Sequence, residues 1–495
     1  MIEAVPLATL RRKLTRQYRY GIAVTAAVLQ LTVPAGVAAT THKRVVTAAH
    51  ARLPSQRSAA IPTALPDTPA VEQLRRAYQF AFPVYEMMRT RAVTLSKARA
   101  HGIDGINQLF VRKTLADANT RDVTTPNNDT LYASAWLDLS GGPVRFNTPP
   151  LSKRYYSAAL MNLFTDNVAV VGTRTVGASR NSAGRYLIAG PAWHGEIPDG
   201  VALLRSDTND AWLLVRVLVD GPGDLDAAVA AAQKFVVDEG TDVAAPTTAV
   251  PTPLPDPATL LAVVNEALGR TPLSPALAEH VAGFADQGIK PGATDAFAQL
   301  PPVEQALWRS ALPALRAELQ RSVDSAGTLV DGWRYFDPAT GNFGAGDAGR
   351  AVVALAGLGA LPRAEAVYLT ASVDQAGAAL DGSKAYTVHL PAQLPVGAFW
   401  SLTMYSVELD GRLLLVANPL QRFALGSRSP SLRAERDGST DIFVQAAMPG
   451  GERVVNWLPA PKGKFKLVFR AYLPGLALQD GSLHLPPVMT SELIP

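Results

Sequence analysis

The feature that most constrains this chain is a change of hydrophobic period that occurs twice. From Leu131 onward, "LYASAWLDL", "RYYSAALMNLF", "NVAVVG", "RYLIAG", "VALLRS" and "AWLLVRVLVD" are short apolar runs bounded by Gly, Pro, Asn and Asp. Runs of this length and spacing predict strands. No helical stretch separates them, so they predict an antiparallel meander or sandwich, not a parallel α/β sheet. The same grammar returns from Glu365 in "EAVYLTASV", "KAYTVHL", "AFWSLTMYSV", "RLLLVAN", "TDIFVQAA" and "KFKLVFRAYL". Asp-Gly pairs at Asp381, Asp410 and Asp437 mark tight turns there. A second antiparallel sandwich or jelly roll is expected.

Helical periods flank and divide these blocks. Val71, Leu74, Tyr78, Phe82, Tyr85 and Met88 recur at helical spacing after a Thr68-Pro69 start, and Pro83 predicts a kink. From Asp224, "DLDAAVAAAQKFVV", "ATLLAVVNEALG", "SPALAEHVAGFA" and "PVEQALWRSALPALRAELQRSV" read as helices. The expected fold is mainly β with helical segments (α+β): two antiparallel jelly-roll-like β-sandwich domains joined by a helical region. The expected boundaries are 67–222, 223–330 and 331–495.

Residues 1–39 read as an export signal. A basic stretch precedes the apolar run "YGIAVTAAVLQLTVPAGVAA", which ends in small residues suited to cleavage. Sec-type export is expected ahead of twin-arginine export. A periplasmic or secreted address follows, with an uncleaved N-terminal membrane anchor as the alternative. Residues 40–66 read as a flexible linker able to touch an anionic envelope surface transiently. Arg11, Arg12, Lys13, Arg16 and Arg19 against Glu3 account for the whole formal net charge of +4. The rest of the chain sums to zero and has no basic excess to drive nucleic-acid binding. The chain has no cysteine, which excludes disulfides, thiol catalysis, Cys-based metal sites and a lipidated Cys anchor. Core packing must supply stability instead, and assembly into a homo-oligomer is a further source open to such a chain.

Longer segments resemble a known family. "AYQFAFPVYEMMRTR", "NQLFVRKTLADANTRDVTTPNNDTLYASAWLDL" and "VGTRTVG" are similar to domain of unknown function 1254. "GWRYFDPATGNFG", "AFWSLTMYSVELDGRLLLVANPLQRFALGSRSP", "DGSTDIFVQ" and "NWLPAPKGKFKLVFRAYLP" resemble its usual C-terminal companion, domain of unknown function 1214. The resemblance implies export, two jelly-roll-like β domains with helices between them, and assembly into oligomers. The chain departs from the family pattern at Ala385, where an Arg is expected, and at Gly346–Gly349, where bulkier residues are expected.

The densest polar cluster is "TPNNDT", Thr125–Thr130, directly before the strand carrying Tyr132 and Trp136. Asn and Asp there can simply bond a turn. Further polar sets lie at Asn162–Asn167 and Gly172–Thr175. In a meander, alternate turns share one end of the sheet, which would bring Asp129, Asp166 and Arg174 together. Two carboxylates beside an Arg suit general acid/base hydrolysis, or an ion-paired structural clamp. Asp441 is a second candidate partner for Asp129. Candidate ligand-binding residues are Asn127, Tyr132, Asn162, Trp400, Tyr405, Arg422, Asp441 and Trp457, a mixture suited to glycans or aromatic molecules. Three readings stay open: an envelope hydrolase or ligand-processing protein, a non-catalytic module for a glycan or small molecule, and a structural oligomer. No cofactor or metal is expected. His101, His194, His280, His389 and His484 show no zinc-site spacing. Gly344–Gly349 matches G-x-G-x-x-G but lacks the preceding buried strand that a dinucleotide site needs.

Overall fold

In a computed structural model, the chain is described at residues 64–103, 105–121, 123–176, 183–238, 248–342, 346–408 and 411–492. The expected leader, nearly all of the expected linker and the first two residues of the glycine motif, Gly344 and Ala345, lie outside these residues. Asp347–Gly357 is a helix, and among the described residues the preceding strand, Trp333–Tyr335, ends before the turn at Asp337–Thr340.

The chain has an α+β fold in which, among the described residues, four open sheets form two sandwiches. In the first module, Phe110–Val111, Thr130–Asp138, Asp210–Leu218, Tyr156–Asn162 and Asn167–Gly172 lie side by side in that order, all antiparallel. The alternation of Thr130–Asp138 explains its place. Ala133, Ala135 and Leu137 face Val144, Phe146 and Ile188 of a second sheet, with Phe235 beside them, and close the sandwich core. The intervening Trp136, with Met161, Trp212 and Leu214 of neighbouring strands, packs instead on helices. The central sheet is thus covered on both faces, which is why Asp210–Leu218 is buried along its whole length.

The second module repeats this arrangement. Ala366–Ala371, Phe465–Pro474 and Val396–Val407 form the centre of a seven-stranded antiparallel sheet. Leu369, Leu402, Leu467 and Phe469 pack on Tyr386, Val388, Ile442 and Val444 of a four-stranded sheet. The other face of the larger sheet turns Tyr368, Ser401, Thr403, Arg470 and Tyr472 toward the first module.

The helical region forms a layer within the same chain. Helix Pro69–Arg99 starts where Thr68 Oγ1 accepts from the Val71 amide at 3.3 Å, and it continues through Pro83 without ending. Helices Pro257–Gly269 and Pro275–Ala282 start likewise at Asp256 and Ser274 caps. With Pro302–Ser325 and Asp347–Gly357 they bury one apolar face against Trp136 and Trp212, whose rings stack at 4.8 Å.

Three expectations need correction. Two of the sheets each contain one parallel pair, Gly184–Ala189 with Ala202–Arg205 and Thr440–Gln445 with Trp457–Pro459, so neither sandwich is purely antiparallel. The stretch after Asp224 is not helical throughout: Leu225–Ala232 is a helix, but Val236–Asp238 leaves it as a strand beside Arg145–Asn147. The first block is also not a meander. Val144–Thr148 crosses to the other sheet, so Thr130–Asp138 pairs with Asp210–Leu218 and not with its successor.

One charged cluster ties the helical layer to the sheet. Register places Asp138 opposite Asp210, a like-charge pair that repels in isolation. Arg270 resolves it, with Nε 2.7 Å from Asp210 Oδ2 and Nη2 2.8 Å from Asp138 Oδ2. Arg91 adds a 3.5 Å contact to Asp210 from the long helix. Burial pushes the Asp138 carboxyl up, but hydrogen bonds from Ser140 and the charges of Arg270 and Arg91 outweigh it and hold the group below the usual carboxylate range. Removing one partner of such a cluster leaves buried charge uncompensated, at a cost of about 3–5 kcal/mol. Arg270→Ala is therefore expected to lower the unfolding free energy by about that amount, read from chemical denaturation. A change within the roughly 0.5 kcal/mol of an ordinary surface substitution would show that the cluster does not hold the layer.

Candidate functional site

The loop Thr124–Asp129 reaches across to the second module. The Thr125 amide donates to the Leu413 carbonyl at 2.7 Å, and the Leu413 amide donates to Thr124 Oγ1 at 3.2 Å. Tyr405 Oη donates to the Pro126 carbonyl at 2.7 Å, and Asn127 Nδ2 donates to Tyr472 Oη. Thr125 has φ 51°, a left-handed conformation uncommon for a β-branched residue. The backbone bonds to Leu413 and Arg470 hold it there. Within the loop, Asn127 Oδ1 accepts from the Asp129 amide at 2.6 Å, and Asn128 Nδ2 bonds the Ala116 carbonyl. The turn-bonding reading therefore holds for Asn127 Oδ1, while Asn127 Nδ2 reaches the second module and Asn128 ties the loop back to Ala116.

Asp129 does something else. Its Oδ2 accepts from Ser401 Oγ at 2.6 Å, in the second module. Burial pushes its carboxyl up, against the charge of Arg470 and the Ser401 hydrogen bond, which act in the opposite direction. Arg470 is itself buried. It donates to Thr403 Oγ1 at 3.0 Å, to Tyr405 Oη at 2.8 Å and to the Thr125 carbonyl at 3.1 Å. Burial also raises Tyr405 to about 12, so it is a neutral donor at physiological pH.

Asp129, Asp166 and Arg174 are not brought together, and strand order supplies the reason. Tyr156 and Thr130 lie at one end of the sheet, beside Val217 and Leu218; Asn162 and Leu137 lie at the other, beside Ala211. Asp129 therefore sits at one end and the Asn162–Asn167 turn at the opposite end. Asp166 pairs with Arg350 at 2.8 Å. Arg174 is at the Asp129 end, but its Nε bonds the buried Glu365 at 2.7 Å. Asp441, the other proposed partner, pairs with His389 at 2.7 Å on the adjacent strand.

The remaining candidates separate into wall and scaffold. Asn127 and Tyr132 line a cavity between the modules, and Tyr405 lies beneath it. Asn162 caps its own turn, accepting from the Phe164 and Asp166 amides. Trp400 packs in the second sandwich core against Phe469. Arg422 donates to the Val454 and Trp457 carbonyls, and Trp457 donates from its ring to the Gln445 carbonyl.

The cavity measures about 210 Å³. Its walls include Trp212, Leu214, Val352, Ala356, Leu358 and Val468, and its polar groups include Arg216, Arg470, Tyr132, Tyr368, Tyr472 and Asn127. Thr114 and Asp324, both exposed, mark the solvent side. Arg216 stands opposite Tyr132 in the sheet, and its guanidinium lies 5.4 Å from the centre of that ring. It donates from Nη2 to the Gly359 carbonyl. Gly359 has φ 86°, so its turn favours glycine. Sequence reasoning missed Arg216, Arg470, Tyr368 and Tyr472. The available signal was a single Arg in the middle of each of two apolar runs, "AWLLVRVLVD" and "KFKLVFRAYL".

Fold and cavity together define a class: a double β-sandwich protein with a cationic, aromatic-lined cavity at the seam of its two modules. Residues 106–239 match the model for the protein of unknown function DUF1254, and residues 365–476 match that for DUF1214. The chain belongs to the family that joins these two domains. The crystal structure of the VPA0106 protein from Vibrio parahaemolyticus is similar over 86% of this chain and all of its own, at 23% identity and TM-score 0.62, which supports the fold. A putative uncharacterized protein from Burkholderia cenocepacia aligns over 87% of this chain and 91% of its own, at 14% identity and TM-score 0.42. No curated protein matches the chain.

The raised Asp129 carboxyl yields a pH prediction. A group whose folded pKa lies above its unfolded value contributes stability that is complete below the unfolded value, about 3.9, and is lost as pH rises through the folded value. Asp129→Asn does not titrate. The Tm of the native protein relative to this variant is therefore expected to fall from about pH 4 upward and then level off. A difference that stays constant across that range would mean that Asp129 is not shifted.

Proposed function

We propose that this protein is a non-catalytic binding module for a small molecule with an aromatic or aliphatic body, held in the cavity between its two β modules. The observation that carries this reading is the composition of the cavity: apolar walls around a small convergent set of buried polar groups, the usual make-up of a ligand site. Its volume of about 210 Å³ exceeds the roughly 150 Å³ that accommodates a benzene ring in an engineered protein cavity. The hydrolase reading loses support because Asp129, Asp166 and Asp441 each bond a different partner, Ser401, Arg350 and His389. A paired acid and base within mutual reach is what that chemistry requires.

The test is a fluorescence titration with 2-naphthol, an uncharged two-ring probe. Saturable binding is expected for the native protein. Ala356→Trp, which fills the cavity from the helix Asp347–Gly357, is expected to weaken it by about tenfold or more. Binding unaffected by that substitution would remove the cavity from the account.

We further propose that binding takes place outside the cytoplasm, on the strength of the basic and apolar leader in residues 1–39. Mass analysis of the N-terminus recovered from an envelope or secreted fraction is expected to find a chain beginning at Ala39 or Thr40. A chain retaining Met1 would favour the anchored alternative.

A further inference from the structure

Arg216 is the least compensated charge in the seam. It is 4% exposed, and among the described residues no hydrogen-bond partner faces its Nη1. Its contacts are the Gly359 carbonyl and the Tyr132 ring, both neutral. Arg470 differs: Asp129 lies close enough to act on it electrostatically, and its two terminal nitrogens have Thr403, Tyr405 and Thr125 as partners. Glu365, the other buried carboxylate in this region, is occupied by Arg174 and by the Tyr155 hydroxyl at 2.9 Å. Arginine keeps its charge in proteins, so burial cannot neutralise it by deprotonation. A buried charge without a counter-charge is costly. A cation arranged this way at a ligand-site wall is complementary to an anion, and a planar guanidinium matches a carboxylate best.

We propose that the cavity is selective for small organic carboxylates, with Arg216 receiving the carboxylate and the wall of Trp212, Leu214, Val352 and Leu358 enclosing the apolar body. This rests on the binding reading above and names the class of ligand. The Tyr132 ring lies 5.4 Å from the guanidinium on the sheet side, the Gly359 carbonyl accepts from Nη2, and Nη1 has no hydrogen-bond partner among the described residues. Arg470 adds positive potential to the same chamber from the second module, partly offset by Asp129.

The experiment compares 2-naphthoate with 2-naphthamide, which share ring and shape and differ in charge. Calorimetric titration of the native protein at neutral pH is expected to show the carboxylate binding about tenfold tighter or more. Arg216→Gln is expected to erase this preference while 2-naphthamide binding persists, and Arg216→Lys to keep part of it. Equal affinity for the two probes in the native protein would overturn the carboxylate assignment and leave the binding reading intact. A preference that survives Arg216→Gln would assign the anion to another group and overturn it as well. If neither these probes nor 2-naphthol binds, both readings fall together. The native-protein comparison decides the matter even if Arg216→Gln does not fold.

Discussion

The loop Thr124–Asp129 is the joint on which the arrangement depends. It leads into a central strand of the first module and bonds the second at several points. Leu413, Tyr405, Tyr472, Ser401 and Arg470 all bond it. A loop so committed is unusual, because loops ordinarily lie at the surface and bond water. Here each sandwich has a sheet whose second face mixes polar and apolar residues and is turned inward, and the loop closes one side of the chamber between them. The apolar contacts of Tyr155, Leu218, Leu361, Phe399 and Tyr472 close another.

Covering both faces of a sheet explains where the chemistry lies. Each central strand must satisfy two environments at once. In Phe465–Pro474, Leu467, Phe469 and Ala471 serve the sandwich core, while Val468, Arg470 and Tyr472 line the chamber. In Asp210–Leu218, Leu213, Val215 and Val217 serve the core, while Trp212, Leu214 and Arg216 line the chamber. Strict alternation thus produces a mixed polar and aromatic surface that is buried without being apolar, and such surfaces are rigid because every member has a fixed place in a pleat.

The same alternation decided what could be read in advance. The two sandwiches, the helical layer and the family were legible, because strand and helix periods are local properties. Partner choice was not. Whether Thr130–Asp138 pairs with its neighbour in sequence or with Asp210–Leu218 depends on Val144–Thr148 crossing to another sheet, and the alternation of those five residues marks a strand without saying which sheet it joins. The misplacement of Asp166 follows from that one crossing. Asn127, Tyr132 and Asp129 were legible as a polar cluster before a strand. Arg216 and Arg470 sat inside runs already recognised as strands, where a lone cation marks the second face of a doubly covered sheet.

Because the chamber is built from both modules, its shape and the stability of the seam are one property. Arg216 and Trp212 come from the first module, and Arg470, Tyr368 and Tyr472 from the second. A molecule touching both groups can be held only while the modules are docked, so its binding free energy adds to that of docking by mass action. Thr125 sits at the centre of this coupling. Its left-handed backbone is held by bonds to Leu413 and Arg470, both in the second module. Strain of that kind persists only where the surroundings over-determine it. Loosening the seam would release the strain, move the Thr125 carbonyl away from Arg470 and free that guanidinium to reorient. The electrostatics of the chamber and the packing of the two sandwiches are thus set by the same few hydrogen bonds.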